Sequence, residues 1–143
     1  MSTFTGLYDI RDVKPSDNNF ILATFLRSLY YGYDENSPYF RLIPKEIFWA
    51  NYKPIAEAMV QPGRVTIKIA CLKEEPDVIL GYSILSNDFS TINFVYVKSA
   101  WRLRGIARAL VPQYPTTVTH LTKVGQSLLT KFETPIIFNP FKT

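Results

Sequence analysis

Several features are scarce in this sequence of 143 residues, and each scarcity excludes a class of protein. The single cysteine, Cys71, cannot form an internal disulfide, which favours a reducing, cytoplasmic compartment. No apolar run approaches the length of a membrane span, and the first residues lack the apolar core of a secretory signal. Internal repeats and low-complexity tracts are absent as well. The composition, 47% hydrophobic and 15% aromatic, therefore predicts one folded domain over residues 1–143 without a membrane segment.

Carboxylates are missing from most of the second half of the chain. Acidic and basic residues are mixed up to Asp88, whereas all the charged residues in the range 89–132 are Lys or Arg. These cations are Lys98, Arg102, Arg104, Arg108, Lys123 and Lys131. A basic surface attracts polyphosphates and nucleic acids alike, and charge alone does not separate the two. A solvated basic face without a ligand is a third interpretation.

A strand, a cationic turn and a short helix follow one another over residues 91–111. β-Branched and aromatic residues over 91–98 predict a strand. Helical spacing of apolar residues predicts a helix over 103–111, with Leu103, Ile106, Ala107, Leu110 and Val111 on its buried side. The first turn of a helix has unpaired N–H groups and partial positive charge, and Gly105 lets an anion approach closely. The stretch therefore predicts a phosphate-binding turn, or alternatively an ordinary amphipathic helix that begins with arginines.

At this turn the chain resembles the GCN5-related N-acetyltransferase (GNAT) superfamily. The family signature is Arg or Gln, two residues, Gly, one residue, then Gly or Ala, and here it is Arg102-Leu103-Arg104-Gly105-Ile106-Ala107. Trp101 precedes it at a position where the family usually has an aromatic residue. The resemblance implies that main-chain amides of the turn bind the pyrophosphate of coenzyme A and that the preceding strand pairs with the pantetheine arm. The implied cofactor-binding residues are Val95, Tyr96, Val97, Arg102, Leu103, Arg104, Gly105, Ile106, Ala107 and Arg108.

The order of predicted elements is also similar to that of the GNAT family. Strands are predicted over residues 7–13, 64–72, 78–86, 91–98, 117–121 and 135–138, and helices over 18–31, 43–59, 103–111 and 123–132. Pro54 is expected to kink or split the second helix. The resemblance implies an α/β (α+β) fold with a mixed, mostly antiparallel central sheet and helices on both faces. It further implies that the fourth and fifth strands splay apart around the acyl carrier.

The residues for acid and base catalysis are the least defined part of the pattern. Transfer of an acetyl group to an amine requires a proton acceptor and a donor for the developing oxyanion. Many members of the family use a carboxylate on the fourth strand and a Tyr in the last helix, whereas this chain has Asn93 and Leu129 there. The candidate catalytic residues are therefore His120, which is the only histidine, together with Asn93 and Tyr114. A core or surface histidine without a chemical role is the alternative for His120.

Four tyrosines near the first loop complete the candidate site. In the GNAT pattern this segment forms one wall of the acceptor site, so the predicted substrate-binding residues are Tyr30, Tyr31, Tyr33 and Tyr39. Packing of these rings over the core is the alternative.

The function that the sequence and the resemblance favour is acyl transfer from acetyl-coenzyme A to an amine. The expected partners are coenzyme A and an amine acceptor, with no metal and no membrane, and a homodimer stays open. A non-catalytic binding protein with this fold, and a protein that binds or modifies nucleic acid, are the two alternatives.

Overall fold

The fold is organised around a six-stranded sheet. The structure is a computed structural model that describes residues 7–32, 40–102, 104–120, 129–130, 132 and 135–142. The strands are β1 (Tyr8–Asp12), β2 (Thr66–Leu72), β3 (Ile79–Leu85), β4 (Thr91–Val97), β5 (Thr117–Val118) and β6 (Ile137–Phe138). The α-helices are α1 (Asn18–Tyr31), α2 (Lys45–Met59) and α3 (Ile106–Leu110). The described part of the chain contains no helix that is both long and apolar enough to cross a membrane.

The strands follow one another across the sheet in chain order, from β1 to β6. Short polar turns connect β2, β3 and β4 into an antiparallel meander, and β1, which α1 and α2 separate from β2 in the chain, pairs antiparallel with β2. The chain then crosses over through α3, so β5 pairs with β4 in the parallel direction, and β6 continues parallel to β5. The predicted mixed and mostly antiparallel sheet is therefore confirmed.

Helices cover both faces of the sheet, as the sequence predicts. On one face, α1 and α2 pack on the inward side chains of β2, β3 and β4 around Phe25, Ile69 and Tyr82, which are almost inaccessible to solvent. On the opposite face, α3 buries Ile106 and Leu110 in a smaller cluster with residues of β2, β3 and β4. The strands alternate between these two apolar layers, which is why β3 is buried along its whole length.

Several predicted boundaries need correction. Pro54 does not split the second helix, because α2 runs without interruption and is anchored on both sides of the proline by buried Phe48 and Ala56. Helix α3 is shorter than the predicted 103–111, since Gly105 precedes it at a φ of 82° and Val111 follows it in an extended conformation before Pro112. Strands β5 and β6 are also shorter than predicted. The helix predicted over 123–132 lies mostly outside the described residues.

Candidate active site

Strand β4 has an open edge beside the start of β5. The two strands pair only at Thr91 with Thr117 and at Ile92 with Val118. In the described part of the chain, no strand pairs with residues 94–97 on that side, so main-chain groups of β4 face a cleft of about 280 Å³. This edge cleft is lined by Arg27, Ser28, Tyr31, Gly32, Phe94, Val95, Tyr96, Val97 and Arg102. The predicted splayed pair of strands thus leaves a groove between the end of α1 and the second half of β4.

The cationic turn lies at the end of the edge cleft. Arg102 lines the cleft, and its Nε donates a hydrogen bond of 2.9 Å to the carbonyl oxygen of Val97. Gly105 then turns the chain at a positive φ and opens α3, whose first N–H groups have no acceptor within the helix. Neighbouring cations lie over aromatic rings. The distances from the charged group to the ring centroid are 5.4 Å for Lys98 over Phe20, 5.1 Å for Arg104 over Trp101 and 4.7 Å for Arg108 over Phe132.

Of the other residues predicted at this turn, Ile106 is buried and Ala107 packs beside it in the apolar layer under α3. Only their main-chain groups are therefore suited to contact a ligand. Leu103 lies outside the described residues.

A β-bulge interrupts β4 at Asn93. Ile84 pairs with Phe94 while the next residue, Leu85, pairs with Ile92, so Asn93 is the additional residue on β4. The bulge turns the Asn93 side chain toward β5, where its Oδ1 accepts a hydrogen bond of 3.0 Å from Thr119 Oγ1. The bulge therefore links the fourth strand to the residues that follow β5.

His120 continues this hydrogen-bonded chain to helix α2. Its Nδ1 lies 2.9 Å from Thr119 Oγ1, and its Nε2 lies 3.1 Å from the hydroxyl of Tyr52. The imidazole also contacts the ring of Phe25 edge to face, with a centroid distance of 5.3 Å. Burial lowers the pKa of His120 below its usual value, and the nearby main-chain carbonyl of Asn93 opposes that effect in part. The histidine is thereby held in its neutral form near pH 7.

A second cavity, of about 710 Å³, is lined by Asn93, the residue before Phe94 of the edge cleft along β4, and we call it the His120 cavity. Its polar and charged lining residues are Tyr52, Arg64, Ser86, Asn87, Asp88, Ser90, Thr91, Asn93, Thr119, His120 and Lys142, and its apolar ones include Ile55, Ala58, Met59 and Val65. Hydrogen bonds from the hydroxyl of Ser86 and from the amide and hydroxyl of Ser90 lower the pKa of Asp88 to about 2. Asp88 is thus an ionised carboxylate that organises the turn between β3 and β4.

The structure separates the remaining predicted residues. Tyr114 is 68% exposed between α3 and β5 and lines neither cavity. Tyr30 is 7% exposed and donates its hydroxyl proton to the carbonyl of Ile43 at 2.7 Å, so its prediction as a substrate contact is wrong and it packs in the core. Tyr31 lines the edge cleft. Tyr33 and Tyr39 lie outside the described residues.

Sequence reasoning missed Tyr52, Thr119 and Arg27. Tyr52 is 68 residues from His120 in the chain and follows the ordinary apolar spacing of α2, so no local pattern signals its contact with the histidine. Thr119 and Arg27 likewise belong to no motif. Only the packing of α1 and α2 beside β4 and the residues after β5 brings such residues to the two cavities.

Comparison with solved structures identifies the fold. A ribosomal-protein-alanine N-acetyltransferase from Brucella melitensis biovar Abortus 2308 is 17% identical, with 95% of this chain and 96% of that chain covered and a TM-score of 0.54. A GCN5-related N-acetyltransferase from Rhodopseudomonas palustris is 18% identical, with 73% of this chain covered and a TM-score of 0.49, and this chain spans 61% of its length. No protein-family model and no curated protein matches the sequence. The chain has the GNAT fold, and this confirms the fold expected from the signature at Gly105.

Proposed function

We propose that the protein is an N-acyltransferase that moves the acetyl group of acetyl-coenzyme A to an amine. The observation that carries this proposal is the open edge of β4, which borders the edge cleft and leads to the cationic turn. Alternate main-chain groups of residues 94–97 pair with β3, and the Val97 carbonyl accepts from Arg102, so the remaining edge groups, those of Val95 above all, would pair with the amides of a pantetheine arm. The chain thus offers an extended partner for the arm and, at the end of the same strand, positive charge for a diphosphate.

The cationic turn supplies the phosphate contacts in this proposal. The first amides of α3 would receive the diphosphate, and Gly105 has no heavy atom within 4 Å of the position where a β-carbon would lie. Close approach of an anion to the main chain is therefore unobstructed by this residue. Arg102 is fixed to the end of β4 by its bond to Val97, which holds one positive charge at the mouth of the cleft.

Acyl transfer also requires that the amine lose a proton as its nitrogen bonds to the thioester carbon and the carbon–sulfur bond breaks. His120 is the candidate proton acceptor because its lowered pKa leaves it neutral near pH 7. Orientation of donor and acceptor alone is worth about 7–11 kcal/mol in favourable cases. The absence of the carboxylate that many GNAT enzymes have on the fourth strand is therefore compatible with turnover.

The test is a calorimetric titration of coenzyme A into the protein and into two glutamate variants. Gly105→Glu places bulk and negative charge in the proposed phosphate site. Gly63→Glu is a matched control, since Gly63 has a φ of 83° and equally open surroundings in the turn before β2. We expect the wild type and the Gly63→Glu variant to bind coenzyme A with similar affinity. The Gly105→Glu variant should bind it at least tenfold more weakly. Equal affinities for all three proteins would contradict the site.

A second measurement separates catalysis from binding. Release of the coenzyme A thiol is followed with acetyl-coenzyme A and a panel of simple amines, beside the binding titration. Acetyl transfer to at least one amine is the expected result. Binding without any transfer would instead support a non-catalytic protein with the same fold.

A further inference from the structure

We propose that Tyr52 and His120 act together as the group that accepts the proton of the amine. This inference rests on the proposed acyltransferase function. In this step the amine proton passes to the hydroxyl oxygen of Tyr52 while the Tyr52 proton passes to Nε2 of His120. The amine nitrogen bonds to the acetyl carbon, the carbon–sulfur bond breaks, and the coenzyme A thiolate takes a proton from solvent. The imidazolium then returns its proton to solvent, so tyrosine and histidine end as they began.

The hydrogen-bonded chain fixes which nitrogen of His120 is basic. Thr119 has one hydroxyl proton, and both oxygens of Asn93 near it, Oδ1 at 3.0 Å and the main-chain oxygen at 3.4 Å, only accept hydrogen bonds. Thr119 therefore donates to Asn93, and its oxygen accepts the Nδ1–H of His120. Because Nδ1 carries the ring proton, Nε2 has the lone pair and accepts the hydroxyl proton of Tyr52. Thr119 and Asn93 are positioning residues that set this tautomer.

The dyad lies where an acceptor can reach the acyl donor. Tyr52, Asn93 and His120 all line the His120 cavity, whereas the next residue of β4, Phe94, lines the edge cleft. A donor in the edge cleft and an amine in the His120 cavity would thus meet at the bulge. The packing of the dyad is also rigid, since Tyr52 stacks on Phe48 at 5.3 Å and His120 rests against Phe25.

Other titratable or charged groups share the cavity and bear on any pH profile. They come from α2, from the segment before β2, from the turn after β3 and from the C-terminal segment: Tyr52, Arg64, Asp88 and Lys142. Asp88 is ionised through the neutral range because its pKa is lowered to about 2. His120 is the only histidine of the sequence, so it is the member of this set with an ordinary pKa of 6.5, and burial lowers that pKa in the folded protein.

Nuclear magnetic resonance tests the dyad without any substrate. A single histidine gives one pair of imidazole nitrogen signals, and we expect the Nδ1–H tautomer with Nε2 as acceptor. A donor at Nε2 favours the neutral ring, so Tyr52→Phe should raise the pKa of His120. Tyr8→Phe, in β1 and remote from both cavities, is the matched control and should leave that pKa unchanged. An Nε2–H tautomer, or an unchanged pKa in Tyr52→Phe, would overturn the dyad.

Kinetics test the proton transfer itself, with acetyl-coenzyme A and n-butylamine as the probe pair. We expect Tyr52→Phe to lower kcat/KM by about 10²-fold and Tyr8→Phe to leave it unchanged. His120→Gly should lose the acidic limb of the pH profile and regain activity when free imidazole is added. If the wild type is active and Tyr52→Phe has the same kcat/KM, the dyad is rejected while the acyltransferase proposal stands. A wild type that neither binds coenzyme A nor releases thiol would reject both.

Discussion

Gly81 of β3 lies so close to Tyr96 of β4 that a β-carbon on it would be 2.5 Å from the Tyr96 carbonyl oxygen. The same atom would be 3.1 Å from the α-carbon of Val97. Both neighbours are main-chain atoms of the strand that borders the edge cleft, so a flexible side chain cannot move aside to make room. The absence of a side chain at this position is thus what allows β3 and β4 to pair at the cleft.

We expect Gly81→Ala to destabilise the fold by about 1–3 kcal/mol, because β4 must shift to admit the methyl group. Urea denaturation measures this change. Under the proposed function, coenzyme A affinity should fall in the same variant, since the displaced strand edge is the proposed partner of the pantetheine arm. An unchanged unfolding midpoint would show that the strands separate there without cost.

A second prediction concerns Asp17, which is 4% exposed at the entry to α1. Its two carboxylate oxygens accept hydrogen bonds from Arg11, at 2.8 and 3.0 Å, and one of them also accepts the Lys14 amide at 2.7 Å. The hydrogen bonds from Arg11 are the main reason why the pKa of Asp17 is lowered. Asp17→Ala should therefore lower the free energy of unfolding by about 1–3 kcal/mol, because it leaves these donors unpaired. Thermal unfolding of the variant beside the wild type measures the loss.

The control for that variant is Asp77→Asn, which removes the partner of Lys14 in an exposed pair with a distance of 2.6 Å. Solvent screens this pair, so the unfolding midpoint should hardly change. Equal losses in Asp17→Ala and Asp77→Asn would contradict the special role of the buried carboxylate.

The stabilisation by Asp17 also depends on pH. Because the pKa of Asp17 is lowered in the folded state, its contribution to the free energy of unfolding is present above the ordinary pKa of 3.8 and is lost as the pH falls through the lowered pKa.

A third prediction follows from the lowered pKa of His120. Below the ordinary pKa of 6.5, the unfolded chain binds a proton that the folded chain does not yet bind. The free energy of unfolding should therefore fall as the pH decreases from 6.5 through the lowered pKa, and above 6.5 this residue should add no pH dependence. His120→Gln should lose this component.

Urea titrations at pH values on both sides of 6.5 measure that component for the wild type and for His120→Gln. Asp17 and Asp88 do not titrate in this window, since their pKa values lie below their usual range. The same pH dependence in both proteins would mean that burial of His120 has no thermodynamic consequence.

Much of the fold could be predicted from the sequence because its signals are local. The bounds of α1 agree with the predicted helix over residues 18–31, since its apolar residues recur at helical spacing along that whole range. The alternation of Ile67, Ile69 and Cys71 also predicts the face that β2 turns to the main core. Pro54 was expected to kink or split the second helix, and it does not split it because packing on both sides of the proline outweighs the local tendency to break the helix.

The candidate site was harder to predict because its contacts are not local. His120 could be selected as the sole histidine, whereas its partner Tyr52 is indistinguishable from the other aromatic residues of α2 in the sequence. Tyr30 and Tyr31 are adjacent, yet one is a core residue and the other borders the edge cleft, because successive helical residues point about 100° apart. Such distinctions depend on which neighbour the sheet brings to each side chain.

The additional residue in β4 has a consequence for the tolerance of this strand to length changes. Ile92 packs with Leu85 and Val118, whereas Phe94, two positions further on, packs under α1 in the main core. In a regular strand these two side chains would share a face. Deletion of Asn93 would make Ile92 and Phe94 consecutive residues of a regular strand and would leave each side chain on its present face. This one residue can therefore be lost from β4 without exposing its core side chains, although the hydrogen bond to Thr119 goes with it, whereas a deletion at another position of the strand would turn one half of β4 over.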